Sequence, residues 1–390
     1  RNKGNDNDTK AFIPEIVALR AERAKLLGYA SHAHWRMSDT MAKEPSRAME
    51  LMNRVWPMAK KRVAEEVADM QKLANKGGKK IEIQPWDYRF YMEKVRKQRF
   101  DLDQGELKNY FALDNMVAAS YYIAERLYGY TFEEFTGRVP SVHPDQRVFE
   151  VKNKADGSHV GLLYRDDFAR QYKRSGAWMS SYRVQDKLDG VTNPIVSNNN
   201  NFTKAAEGEA ALVSPPDAQT LFQAYRHAIT HLAMNVTYPS LGDTPRDFVE
   251  FPSQVHENWV LTEEVLDKYA RHYKTKERMP QELIDKVLKA RTFNQGFATV
   301  EYLSAALVDM KLHMDPEGKV DPVAFEKETL KELGMPEQIV LRHRLPQFLH
   351  LFTSDAYSAG YYLCLWSDVM AADGWLGFEE AQPTSAAGSV

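Results

Sequence analysis

Apolar residues recur at i, i+3, i+4 and i+7 through Ile13 to Leu27, Ala48 to Leu73, Leu113 to Leu127 and Glu282 to Leu312. That spacing lays an apolar stripe along one side of a helix, so the chain should fold as a mainly α protein. The clearest β signal is confined to Arg147 to Tyr164. There Val148-Phe149-Glu150-Val151 and Val160-Gly161-Leu162-Leu163-Tyr164 flank the turn-rich Lys154-Ala155-Asp156-Gly157-Ser158, which predicts a hairpin. The polar run Asn198 to Asn201, with Pro194 before it, reads as a loop or an edge strand bordering a cleft. A small sheet inside a helical body is the expectation.

At 390 residues the chain is long for one domain; about 150 residues per domain predicts two to three lobes. Gly137, Pro140 and Pro144 interrupt the helical pattern. The expected division is a helical region over 1–140, a small sheet region over 141–204 and a second helical region over 205–380. The last residues, 381–390, read as a disordered tail. The seven tryptophans, among them Trp56, Trp86 and Trp259, sit in apolar patterns and read as core.

The 51 Lys plus Arg against 54 Asp plus Glu leave a net charge of −3. No basic excess is available for a nucleic-acid backbone or an anionic bilayer, so neither is an expected partner. No stretch reaches the roughly 18 uncharged apolar residues that a membrane span needs. The opening Arg1-Asn2-Lys3-Gly4-Asn5-Asp6 is polar where a signal peptide requires an apolar segment. With the lone Cys364, which fits a reducing compartment, this gives a cytoplasmic expectation.

From Asn201 to Trp259 the sequence becomes specific, with the run Phe248-Val249-Glu250-Phe251-Pro252 at its centre. Further segments agree: His143-Pro144-Asp145, Lys173-Arg174-Ser175-Gly176-Ala177-Trp178, Phe293-Asn294-Gln295-Gly296-Phe297 and Tyr357-Ser358-Ala359-Gly360-Tyr361-Tyr362. Together they resemble the M3 peptidase family, the thimet oligopeptidase and bacterial peptidyl-dipeptidase group, over nearly the whole chain. The resemblance implies a mostly helical zincin-like fold with a small sheet beside a channel that admits short peptides. Relatives are implied to be longer at both ends, so the sequence reads as a truncated member.

The family's zinc helix carries H-E-x-x-H, in which two histidines four residues apart share a metal and the glutamate activates its water. Here the matching residues are Gln223-Ala224-Tyr225-Arg226-His227. Gln223 offers a neutral amide and Ala224 has no group that accepts a proton. His227 matches the second ligand and Glu250 the third. His231, one turn on, makes a new pair with His227 at metal-ligand spacing, which Glu250 or Asp247 could complete as a displaced zinc site; a hydrogen-bonded helical histidine is the other reading.

The tyrosine cluster changes too. Tyr357 and Tyr361 match family positions that hydrogen-bond substrate, but the third tyrosine of the pattern is Cys364. That thiol reads either as a nucleophile facing His227 or His231, or as a buried cysteine between Leu363 and Leu365. Arg226 either points into the cleft, where it could hold a carboxylate or an oxyanion, or lies solvated outside. Glu257 could pair with Arg226 or act as general base. His256 and His350 match positions lining the substrate cleft, and both also suit structural roles.

The changes cluster at one cavity while the flanking segments keep the pattern. Ordinary zinc hydrolysis should be lost or very weak, and the centre reads as rebuilt, by selection or by an engineer, for altered and perhaps metal-independent acid–base or hydrolytic chemistry. Two alternatives stay open: a catalytically dead protein that binds short peptides or small molecules, and a weak zinc peptidase using His227, His231 and Glu250. The expected cofactor is accordingly none or residual zinc.

Overall fold

The computed structural model describes residues 4–77 and 81–381, which form two compact units interleaved along the chain. The first gathers Arg1–Asp101, Pro245–Phe248 and Lys289–Ser367; the second gathers Leu102–Thr244, Val249–Leu288 and Asp368–Val390. The consecutive regions expected above follow chain order instead. Among the described residues the chain runs through helix Leu363–Ala381, and residues 382–390 of the expected tail lie outside them.

The first unit is built on the 32-residue helix Pro45–Lys76. Pro45 stands in the first turn, where no backbone donor is lost, and a second proline, Pro57, lies inside the helix. Ala48, Met52, Trp56, Ala59, Val63, Met70 and Ala74 recur every three or four residues and are buried as one stripe. Helix Gln295–Met314 packs against that stripe at very close range, because a Cβ on Gly296 would meet the backbone nitrogen of Val63 at 2.8 Å. Buried Glu66 accepts the Gly296 and Phe297 amides at 2.9 Å each, capping the partner helix from the side.

The single helix read over Glu282 to Leu312 is in fact two, Gln281–Lys289 and Gln295–Met314. Asn294 breaks them apart by adopting a left-handed conformation (φ 62°), which asparagine tolerates better than most residues. Helices Phe12–Leu26, His32–Met37 and Pro85–Phe100 complete much of this unit. Trp86, at the start of the last of these, is 79% exposed, so it is not core.

Deep in the same unit, fully buried Asp309 accepts the backbone amides of Ala359, Gly360 and Tyr361 at 2.9, 3.0 and 2.9 Å. It also accepts Nδ1–H of His313 at 2.8 Å, whose Nε2 in turn lies 3.1 Å from Nη1 of Arg20. This carboxylate holds a tight turn in which Ala359 has φ 52°.

The second unit carries one five-stranded sheet: β1 (Tyr130–Glu134), β2 (Arg147–Asn153), β3 (His159–Phe168), β4 (Trp178–Arg183) and β5 (Ile195–Phe202). The order is β1-β2-β3-β5-β4, with β3 and β5 parallel and the other pairs antiparallel. The expected hairpin is β2 with β3. The asparagine run differs from its reading: it is an inner strand, paired on both sides.

Phe149, Val151, Leu163 and Val196 turn one sheet face to Tyr225, Ala228, Ile229 and Leu232 of helix Pro215–Leu232. Further along, that face becomes polar and stays buried, with Arg165 bonded to Asp167 at 2.8 and 3.2 Å and Asp167 to Asn200 at 2.9 Å. Asparagine fits an inner strand here because its neighbours on the face are charged.

Candidate functional site

Helix Pro215–Leu232 begins at a capping box, where the Ser214 hydroxyl accepts the Asp217 amide at 3.2 Å and the Asp217 carboxylate accepts the Ser214 amide at 3.0 Å. Its apolar side is buried on the sheet. Gln223, His227 and His231, four residues apart, share another side and are half-buried, while Ala224 is buried.

Glu250, just before helix Phe251–Glu257, is buried and meets this row. Its Oε2 lies 3.1 Å from Nε2 of His227, accepts the Ser253 hydroxyl at 3.0 Å and is 3.5 Å from the Gln223 amide nitrogen, the last a weak contact. His231 turns Nδ1 back to the His227 carbonyl at 3.0 Å, so that nitrogen carries the proton and Nε2 is left as its acceptor.

Arg226 donates to the Thr230 hydroxyl at 2.6 Å and sets its guanidinium 5.0 Å over the Tyr128 ring. His256 is buried beside Phe222 and Tyr225, with neither ring nitrogen hydrogen-bonded. Burial, with the Arg226 cation adding to it, holds the His256 imidazole down to about 3. The adjacent Glu257 carboxyl is pushed up to about 8, by burial first and then by the like charges of Asp368 and Glu250.

The remaining candidates belong to the first unit. His350 stands edge-on to the Tyr357 ring, centroids 5.3 Å apart, and 5.5 Å from the ring of Tyr361. Tyr361 is buried and its hydroxyl is pushed up to about 12 by that burial. Half-buried Cys364 is in hydrogen-bond contact with the Tyr302 hydroxyl, which also donates to the Tyr361 carbonyl at 2.5 Å. Asp247 has its oxygens committed to the amides of Met41 and Ala42 at 2.7 and 2.9 Å and to the Tyr362 hydroxyl at 2.8 Å. Among the described residues, no three His, Cys, Asp or Glu side chains come together as a metal-binding group.

The model of peptidase family M3 matches residues 1–389. The chain belongs to peptidase family M3. It is 40% identical over 385 residues to the dipeptidyl carboxypeptidase of Escherichia coli, covering 97% of this chain and 56% of that protein. The Salmonella typhimurium dipeptidyl carboxypeptidase is 38% identical, covering 97% and 56%. Oligopeptidase A of the same bacterium is 32% identical, covering 96% and 55%. The chain thus spans about half the length of the curated relatives it matches. Its mainly helical body with one small sheet is the M3 fold expected from the sequence. Among the described residues, no helix is long and apolar enough to cross a membrane.

Three contributors escaped the sequence reading of this M3 chain. Ser253 bonds Glu250, Asp309 holds the turn that bears Tyr361, and Arg246 stacks its guanidinium 4.3 Å over Tyr357. Of these, only Arg246 carried a local signal, a cation immediately before Asp247 in the run that leads to Glu250.

Proposed function

We propose that this M3 scaffold binds short peptides while ordinary zinc-dependent hydrolysis is lost or very weak. One observation carries the reading. The row on helix Pro215–Leu232 offers the imidazoles of His227 and His231 and the neutral amide of Gln223, Glu250 adds a carboxylate beside His227, and Ala224 carries only a methyl group. A peptide-cleaving zinc centre uses three protein ligands and a proton acceptor beside the metal-bound water. This donor set does not fit such a centre: Gln223 is a poor ligand and Ala224 accepts no proton.

Glu257 favours a second reading. A carboxyl pushed up to about 8 holds its proton at neutral pH and suits a general acid in metal-independent chemistry.

Metal analysis of the purified chain, with binding and cleavage of a fluorogenic peptide, separates these readings. Expected are peptide binding, substoichiometric zinc and no cleavage above background. One zinc per chain with chelator-sensitive cleavage would return the conventional mechanism through His227, His231 and Glu250. Cleavage that survives chelator but is abolished by Glu257→Gln selects the second reading.

A further inference from the structure

Four buried donors gather on one face of the sheet in the second unit, none with a hydrogen-bond partner at normal distance. They are Nη1 of Arg165 on β3, Nδ2 of Asn198 on β5, and the hydroxyls of Tyr121 and Tyr225. Tyr121 stands on helix Leu113–Tyr128 and Tyr225 on helix Pro215–Leu232, which both pack on this face. Arg165 and Asn198 are paired in register on neighbouring strands. The Arg165 guanidinium lies 5.9 Å from the centre of the Tyr121 ring, and the rings of Tyr121 and Tyr225 are 5.6 Å apart. Burial pushes both hydroxyls up, and the Arg165 cation pulls against it in each.

A buried donor left unpaired is destabilising, so four together point to an acceptor that they share. A water molecule accepts two hydrogen bonds at most and does not serve four converging donors, whereas a halide ion accepts from every side. Charge agrees. Asp167 cancels Arg165, to which it is bonded at 2.8 and 3.2 Å. Arg226, next to Tyr225, contacts the Thr230 hydroxyl at 2.6 Å and the Tyr128 ring, both neutral, and its charge bears on the Tyr225 hydroxyl. One surplus positive charge suits a monoanion, and Arg165 inside the cluster repels a cation.

We infer that Arg165, Asn198, Tyr121 and Tyr225 hold a halide-sized monoanion, chloride in an ordinary medium, between the sheet and its two helices. The amide oxygens of Asn198 and Asn200, also unpartnered, would repel an ion that touched them. The ion therefore sits on the tyrosine side of the asparagines, with only Nδ2 of Asn198 turned to it. It ties helix Pro215–Leu232, whose other side carries Gln223 and His227, to the sheet. The inference does not depend on peptide binding.

The test uses the full chain. Crystals soaked in sodium bromide should show an anomalous peak within hydrogen-bond reach of Arg165 Nη1 and the Tyr225 hydroxyl. Bromide confined to the surface, or ordered water in its place, overturns the inference. In solution, sodium chloride is compared with sodium gluconate at matched ionic strength, because gluconate is too large for such a site. Between about 5 and about 200 mM, chloride should raise the melting temperature by about 3 °C more than gluconate does. Tyr121→Phe with Tyr225→Phe removes two donors at nearly constant volume and should abolish that difference. Equal melting in the two salts, or a chloride effect undiminished in the double variant, sinks the inference. If the double variant does not fold, the bromide map decides alone.

Discussion

His256 and Glu257 are chain neighbours with opposite protonation preferences, and both bear on stability. Unfolded, the Glu257 carboxyl ionises near 4.5; folded, it keeps its proton up to about 8. Its contribution is therefore complete below pH 4.5 and is lost as pH rises through 8. His256 runs the other way. Its unfolded imidazole gains a proton near 6.5 while the folded one resists down to about 3, so its contribution is complete above pH 6.5 and is lost as pH falls toward 3. Melting temperature against pH should show both limbs. Glu257→Gln should flatten the alkaline limb, by about 1–2 kcal/mol at pH 9 after allowing for solvent contact, and His256→Phe the acid limb; an unchanged limb in either variant refutes its assignment. On the proposed function, Gln223→His with Ala224→Glu should give stoichiometric zinc and peptide cleavage, and a variant that stays metal-free would count against it. The pairing of His227 with Glu250 was legible beforehand through the family resemblance. The direction of Arg226 was not, because a cation at that position suits either surface until Tyr128 and Thr230 are seen to receive it.

Elements carried their own legibility. The stripes of Pro45–Lys76 and Leu113–Tyr128 were plain in the sequence because each buries one face against apolar partners. β5 was misread because its pattern answers to Arg165 and Asp167 on a neighbouring strand, a nonlocal cause that periodicity does not register. The Arg165 side chain has 0% exposure. Asp167→Leu alone should therefore cost about 3–5 kcal/mol by leaving a buried charge unpaired. Arg165→Met added to it should recover most of that loss in urea denaturation; additive costs would mean the pair is not the reason. Between helices, Gly296→Ala should destabilise by about 1–3 kcal/mol, since the backbone of Val63 has little room to retreat. Glu66→Ala should cost at least as much, because it strips the acceptor from two amides. Calorimetry showing no change in either variant would contradict the close packing.

Across the molecule, a helical majority with one small sheet could be read from spacing alone, but the interleaving could not. Pro245–Phe248 belongs to the first unit through Asp247, whose partners Met41, Ala42 and Tyr362 are remote in sequence, and nothing in the composition of four residues announces that. Interleaving predicts that neither unit survives as one contiguous piece. A fragment ending at residue 288 lacks Gln295–Met314 and uncovers Met52, Trp56 and Val63. It should bind a hydrophobic dye and lose its near-ultraviolet tryptophan signal, whereas a sharp cooperative melt of that fragment would disprove the dependence. Asp309 has a kinetic corollary. By gripping three consecutive amides and an imidazole it sets the shape of the 359–361 turn during folding, so a visitor arriving at Tyr357 or Tyr361 meets a surface with little left to order. Differences among such visitors should then show in how long they stay rather than in how fast they arrive.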